Sequence, residues 1–349
     1  MATYPAMIFK REANEDEPSL PIVRVGNVSR DFQVDRGNPN LSGRLLTRSW
    51  KTYQEPKVVI DRISFEIQAG ESVAFIGPNG AGKSTMIKML VGILMPTSGT
   101  IEVLGRSPFK ERKRNAKEIG VVFGQRSSLW LDLPLRSSFE LHKAIYNIST
   151  SKYESILAEL LQTFQISALI ERLSRHLSLG ERMRAELCLA MLHEPKILFL
   201  DEPTIGLDID GKAIVRNQLR ELARSRGTTI FLTSHDLADV ETICERLFII
   251  DEGRLLFDGS ITDLSKCLGL PRKLHLEFKE DPGAITLPHG KLVQDSGTVK
   301  IFEIDGENYV VGDILAALST LNGLNDLSFK DPIAEDLVRR FYKAGSKLT

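Results

Sequence analysis

The stretch GPNGAGKST, Gly77 to Thr85, leaves this chain little freedom in how it folds. It follows the apolar run SVAFI and opens KSTMIKMLVGIL, where Met86, Ile87, Leu90 and Ile93 recur near helical spacing, so the order is strand, glycine-rich turn, helix. A glycine, four residues, then Gly-Lys-Ser is the pattern of a phosphate loop. Gly77, Gly80 and Gly82 let the backbone turn its N–H groups towards phosphate oxygens at a helix N-terminus. Pro78, Asn79, Ala81 and Thr85 complete the cradle, Lys83 is expected to reach the terminal phosphates, and Ser84 to ligate magnesium. The expected ligands are therefore ATP and Mg2+.

Further apolar runs, IGVVFG, KILFLDEP, TTIFLTSHD and RLFIIDEG, are β-rich, bounded by polar turns and separated by helical segments, as buried parallel strands are. The core is expected to be α/β. ILFLDEP delivers Asp201 and Glu202 at the C-terminal end of a strand, where such sheets place their ligands. Asp201 would hold magnesium through water. Glu202 would orient and deprotonate an attacking water, because phosphoryl transfer asks a protein mainly for positioning and charge stabilisation.

Composition narrows the remaining classes. With 42 % hydrophobic residues, 26 % charged and a net charge of -1, the chain gives no reason to expect nonspecific nucleic-acid binding. It shows no apolar run of membrane-spanning length, so it is expected to be neither transmembrane nor secreted. Cys188, Cys244 and Cys267 form no CxxC pair, which fits a reducing compartment and buried thiols rather than structural zinc.

In order along the chain stand GPNGAGKST, Gln125 in FGQ, LSLGE from Leu177, ILFLDEP, GLD at Gly206 to Asp208, and His235 in TSHD. From about Ile22 to Ser260 this arrangement resembles the nucleotide-binding domain of ABC transporters. The resemblance implies an ABC-type P-loop NTPase fold, ATPase activity, and a head-to-tail dimer. Each ATP would be held between the phosphate loop of one subunit and the signature helix, with Ser178, Gly180 and Glu181, of the other. It further implies His235 on the γ-phosphate, Gln125 sensing magnesium and the membrane partner, Asp208 in the D-loop, and an aromatic stacked on adenine. Tyr53 is the expected aromatic, with Trp50 second.

The resemblance also implies separate transmembrane permease subunits, with this chain peripheral on the cytoplasmic face of the membrane. FGQRSSLWLDLP, with Leu129, Trp130 and Leu133 in an exposed turn, would receive the permease. The combination of FGQRSSLW, LSLG and the C-terminal module is similar to an exporter-type branch, and the expected cargo is hydrophobic, drug-like or lipid-like. A soluble ABC ATPase acting on ribosomes or chromosomes is the alternative.

The expected organisation is a disordered tail at 1–21, a nucleotide-binding domain at 22–264, and a small α+β module at 265–349. The domain carries a basic insertion at 36–57 and a helical subdomain at about 126–190. In the insertion Leu41, Leu45, Leu46 and Trp50 share a helical face edged by Arg44, Arg48 and Lys51, as in a segment resting on lipid headgroups or a permease. In the module KLHLEFK and VKIFEID alternate as half-buried strands, and DPIAEDLVRRFYKA is a helix with Asp331 as N-cap and Pro332 at its first position.

LSLGERMR departs from its family, with Leu179 and Glu181 where Gly and Gln are usual. Ser178 followed by Glu181 is a capping-box pattern. Arg182 and Arg184 are expected to offset the added carboxylate, and Leu179 to point away from the nucleotide.

Overall fold

The sheet that carries the phosphate loop is assembled from strands remote in sequence. The computed structural model describes residues 20–36, 53–124, 126–268, 271–304, 311–319, 321, 323–330 and 334–347. The chain divides into two compact units after Asp258.

In the first unit β1 (Val23–Arg36) pairs antiparallel with β2 (Tyr53–Ile67), and β3 (Ser72–Ile76) leads into α1 (Lys83–Leu90). β4 (Ser98–Val103), α2 (Arg112–Ala116) and β5 (Ile119–Phe123) follow, then the helical segment of α3 (Leu135–Tyr146), α4 (Thr150–Thr163) and α5 (Leu179–Met191). β6 (Ile197–Asp201), α6 (Ile209–Arg226), β7 (Thr229–Ser234), α7 (Leu237–Ile243), β8 (Arg246–Asp251) and β9 (Arg254–Gly259) close it. The large sheet has the order β5-β6-β7-β3-β8-β9, with β5, β6, β7, β3 and β8 parallel. A second sheet, β2-β1-β4, is antiparallel.

The two sheets share a core in which Phe65 of β2 meets Phe248 at 4.7 Å between ring centroids, and Phe75 meets Phe231 at 5.5 Å. Every residue of β3 is buried, which is why its run is continuous rather than alternating. Truncating a side chain such as Phe75 to Ala would cost roughly 3–5 kcal/mol. Helix α1 ends at Leu90, because Gly92 turns the chain at φ 75° where a Cβ would strike the Pro108 carbonyl oxygen at 2.2 Å. Ile93 therefore lies beyond the helix and is exposed.

The second unit contains α8 (Ile261–Cys267), β10 (Arg272–Phe278), β11 (Gly290–Asp295), β12 (Val299–Ile304), α9 (Val311–Ser319), β13 (Leu324–Lys330) and α10 (Ala334–Lys347). Its antiparallel sheet has the order β11-β12-β10-β13. Leu274, Leu276, Phe302 and Ile304 alternate inwards onto Ile314 and Leu318. The alternating runs expected there are β10 and β12; β11, β13 and α9 are additional.

Three features differ from the sequence reading or fall beyond the described residues. Arg36 and Tyr53 to Lys57, which the sequence places in the basic insertion, belong to β1 and β2. Residues 1–19, the segment 37–52 with its amphipathic face and Trp50, and the expected caps Asp331 and Pro332 lie outside the described residues. Cys188 and Cys244 are buried as expected, and burial pushes both thiols up, but Cys267 is exposed. Among the described residues no helix is long and apolar enough to cross a membrane.

Candidate functional site

The loop after β3 closes on itself before α1 begins. Gly82 precedes the helix with φ 109°, a left-handed conformation that costs other residues strain, and a Cβ there would lie 2.5 Å from Ile60 Cδ1. Gly80 is also left-handed, at φ 86°, but has open space around it, so its requirement is conformational rather than steric. Lys83 is only 7 % exposed and donates to the carbonyl oxygens of Gly77 (2.7 Å) and Pro78 (3.3 Å). Burial lowers its pKa, and the charges of Glu202 and Asp201 oppose that shift.

The two acidic residues at the end of β6 face this lysine. Glu202 Oε1 lies 3.9 Å from Lys83 Nζ. Asp201 Oδ1 accepts from Thr233 Oγ1 at 2.6 Å and from Ser84 Oγ at 3.2 Å. A hydroxyl and a carboxylate held this close form the oxygen donor set that a hard divalent cation takes. Glu202 has left the strand: its φ is 56°, its N–H donates to the Thr233 carbonyl at 3.0 Å, and its Oε2 accepts from His235 Nδ1 at 2.5 Å. β7 thus positions Asp201 and the Glu202 backbone through Thr233, and the residue after it, His235, holds the Glu202 carboxylate.

A buried polar network behind His235 is absent from the sequence reading. Asp239, fully buried on α7, accepts from Thr204 Oγ1 (2.5 Å), Ser234 Oγ (2.7 Å) and Arg216 Nε (2.6 Å). Burial would raise the pKa of Asp236, but Lys212 and Arg216 outweigh it and hold the carboxyl below its usual range. Asp236 and Asp239 are legible as polar residues after a strand, yet their partners come from α6 and from the residues after β6, which no local pattern links.

Gly124 follows β5 with its N–H on the Asp201 carbonyl at 2.8 Å, and a Cβ there would strike the Glu202 carbonyl at 2.2 Å. Gln125 itself lies outside the described residues. After it, Leu129 is 4 % exposed and Trp130 54 %. The turn thus splits its apolar residues: Leu129 packs inwards, contrary to the sequence reading, and Trp130, Leu131 and Leu133 face out.

The Ser178 cap is as expected from its spacing. Ser178 Oγ accepts from the Glu181 N–H at 3.2 Å and Glu181 Oε2 from the Ser178 N–H at 2.8 Å, which starts α5 with a closed capping box. Gly180 has Gly211 Cα, at 4.0 Å from an added Cβ, as its nearest neighbour outside the helix, so its face is open. Leu179 is 42 % exposed, and its Cδ2 lies beside Gly206, 2.9 Å from where a Cβ would stand. The cation near Glu181 is Arg172, at 3.8 Å. Arg184 instead donates to the Phe164 and Gln165 carbonyls, so it does not serve the role expected of it. Asp208 caps α6, accepting from the Gly211 N–H at 2.9 Å.

The strand register separates two aromatic residues. Ile60 touches the phosphate loop at Gly82 and pairs with Arg30, while Phe32 pairs with Lys57 and Tyr53 with Arg36. At about 3.3 Å per residue, Tyr53 lies about 23 Å along β2 from Ile60, and Lys57 about 10 Å. Phe32, half-buried under the Arg30 guanidinium at 4.7 Å, stands on the nearer stretch. Its position at the end of NVSRDF was the available signal.

The family model described as ABC transporter matches residues 60–205. Nod factor export ATP-binding protein I of Rhizobium meliloti is 34 % identical over 263 residues, covering 74 % of this chain and 77 % of that protein. The solved structure of an ATP binding subunit of an ABC transporter shares 26 % identity and a TM-score of 0.58, over 71 % of this chain and 93 % of its own. A dimeric ATP-binding cassette in a post-hydrolysis state with ADP and Pi aligns at 22 % identity and TM-score 0.57, over 68 % and 98 % of the two chains, and shows the shared fold.

Proposed function

Since the chain belongs to the ABC transporter family and is one of its ATP-hydrolysing subunits, we propose that it powers export of a hydrophobic or lipid-like compound through separate permease chains. The likeness to a protein named for Nod factor export supports the direction. The observation that carries a membrane partner is the turn after β5, where Trp130, Leu131 and Leu133 stay exposed although the loop itself is tightly bonded.

In the proposed mechanism the loop Gly77 to Thr85 holds the phosphates by backbone N–H groups, and Lys83 leaves its carbonyl partners to meet the terminal oxygens. Ser84, Asp201 and Gln125 would hold Mg2+, which when bound neutralises charge on the phosphates. Glu202 takes a proton from the attacking water, and His235 fixes that carboxylate and contacts the γ-phosphate. Phe32, in place of Tyr53, stacks on adenine. Two chains pair head to tail, so that Ser178, Gly180 and the N–H groups at the start of α5 close on the other chain's ATP, beside Asp208.

Affinity purification of the tagged chain from detergent-solubilised membranes tests the reading. A multi-span membrane protein should co-purify in stoichiometric amount and raise the ATPase rate. Recovery with ribosomes or chromosomal DNA instead would replace it with the soluble alternative.

A further inference from the structure

Glu186 lies on the inner face of α5, about 12 Å from Ser178 at 1.5 Å per residue. It is 5 % exposed, and a carboxylate that deeply buried needs partners. Three come from the turn after Gln125: Ser127 Oγ donates to Glu186 Oε1, as do the N–H groups of Ser128 (2.8 Å) and Leu129 (3.3 Å). None of these donors is a cation, so the carboxylate organises a backbone turn rather than neutralising a charge. The next N–H, of Trp130, donates to the buried Ser138 Oγ of α3 at 3.0 Å. Together the two anchors put Leu129 inside and Trp130 outside.

Before Gln125, the Gly124 N–H donates to the Asp201 carbonyl at the end of β6. Residues 127–129 are thus fixed to the helix that starts at the capped Ser178. We propose that Glu186 is a positioning residue that locks this turn to α5, so that the start of that helix and the exposed Trp130 move as one body during ATP turnover. The inference rests on ATP hydrolysis by the chain and is independent of export.

Trp50 and Trp130 are the two tryptophans of the chain, so a Trp50→Phe background makes Trp130 the sole emitter. In that background ATP with Mg2+ should shift Trp130 emission. Glu186→Leu, which keeps volume and removes the acceptors, should abolish the shift and lower kcat about tenfold, equivalent to about 1.4 kcal/mol of activation free energy. KM for ATP should stay within about twofold, the pattern of a group that acts in turnover rather than in ground-state binding. Glu186→Gln, which retains an acceptor oxygen, should fall between. No nucleotide-dependent shift in the background chain, a native shift and rate in Glu186→Leu, or a rate loss matched by lost ATP binding would each overturn the proposal. Should Glu186→Leu fail to fold, Ser127→Ala decides: it must weaken the shift and kcat together at constant KM, and native values for both would overturn it.

Discussion

Glu202 occupies a left-handed backbone position, which costs a non-glycine residue of order 1 kcal/mol or more and persists only where its surroundings over-determine it. Here they are the Thr233 carbonyl and His235. Glu202→Gln keeps that geometry and removes the base, so ATP binding should survive while turnover falls roughly 10²–10⁴-fold. Lys83→Ala should instead weaken ATP binding itself, and equilibrium titration beside steady-state ATPase assays separates the two effects. Glu181 poses the opposite case. At about 8 Å from a phosphate charge and an effective dielectric near 20, its carboxylate would repel by roughly 2 kcal/mol. Arg172 offsets part of that, and an amide can still accept the Ser178 N–H. Glu181→Gln should therefore preserve or modestly raise ATP turnover. Gly180→Asp should abolish it by filling the open face at the start of α5, and a tenfold loss in Glu181→Gln would show a positive role for the charge.

Between elements, the least anticipated contact joins α3 to the residue pair after α5. His193 Nε2 lies 3.0 Å from the Ile119 carbonyl and so carries its proton there, which leaves Nδ1 to accept from His142 Nε2 at 3.2 Å. Tyr146 stacks on both rings, and the trio lines a cavity of about 400 Å³ together with Glu186 and Arg112. Burial first, and His193 second, lowers the His142 pKa to about 3, and burial lowers that of His193. The native rings stay neutral while the unfolded ones take protons below about 6.5, so this stability is complete above that pH and is lost as pH falls towards 3. His142 alone should cost up to about 1.4 kcal/mol per pH unit there. Glu186, raised by burial, acts with the opposite sign. Urea unfolding at pH 7.5 and 5.5 should show the loss, and His142→Phe should flatten the slope even if it lowers stability throughout; equal slopes would refute the assignment. The strands around the phosphate loop, the acidic pair and the Ser178 cap were legible because each is a local pattern. The partners of Glu186, Asp239 and His193 were not, because nothing in periodicity says which remote segment supplies a donor. Tyr53 is legible only as an aromatic upstream of the phosphate loop, whereas Phe32 is favoured by the pairing of β1 with β2, which no local pattern shows.

For the molecule as a whole, the two units have separate cores, one around Phe75 and Phe248 and one around Leu274 and Phe302. Only the first contains the ATP site. Scanning calorimetry should therefore resolve a transition that ATP with Mg2+ raises, by about 2.7 kcal/mol of added stability at a hundred times Kd, and one that it leaves in place. A single transition shifted as a block would show that the units unfold together. The sheet order has a further consequence, for the sequence of events on the ribosome. β3, which launches the phosphate loop, finds its neighbours in β7 and β8, both made long afterwards. At ribosomal rates the stretch from Ile76 to Arg246 takes about 10 to 35 s to emerge. Until Thr229 emerges this wholly buried strand has both edges unpaired, and until Arg246 emerges it has one, a template for pairing with another chain. Nascent chains stalled before Arg246 should thus be the aggregation-prone species in the life of this protein, and the ones most dependent on chaperones.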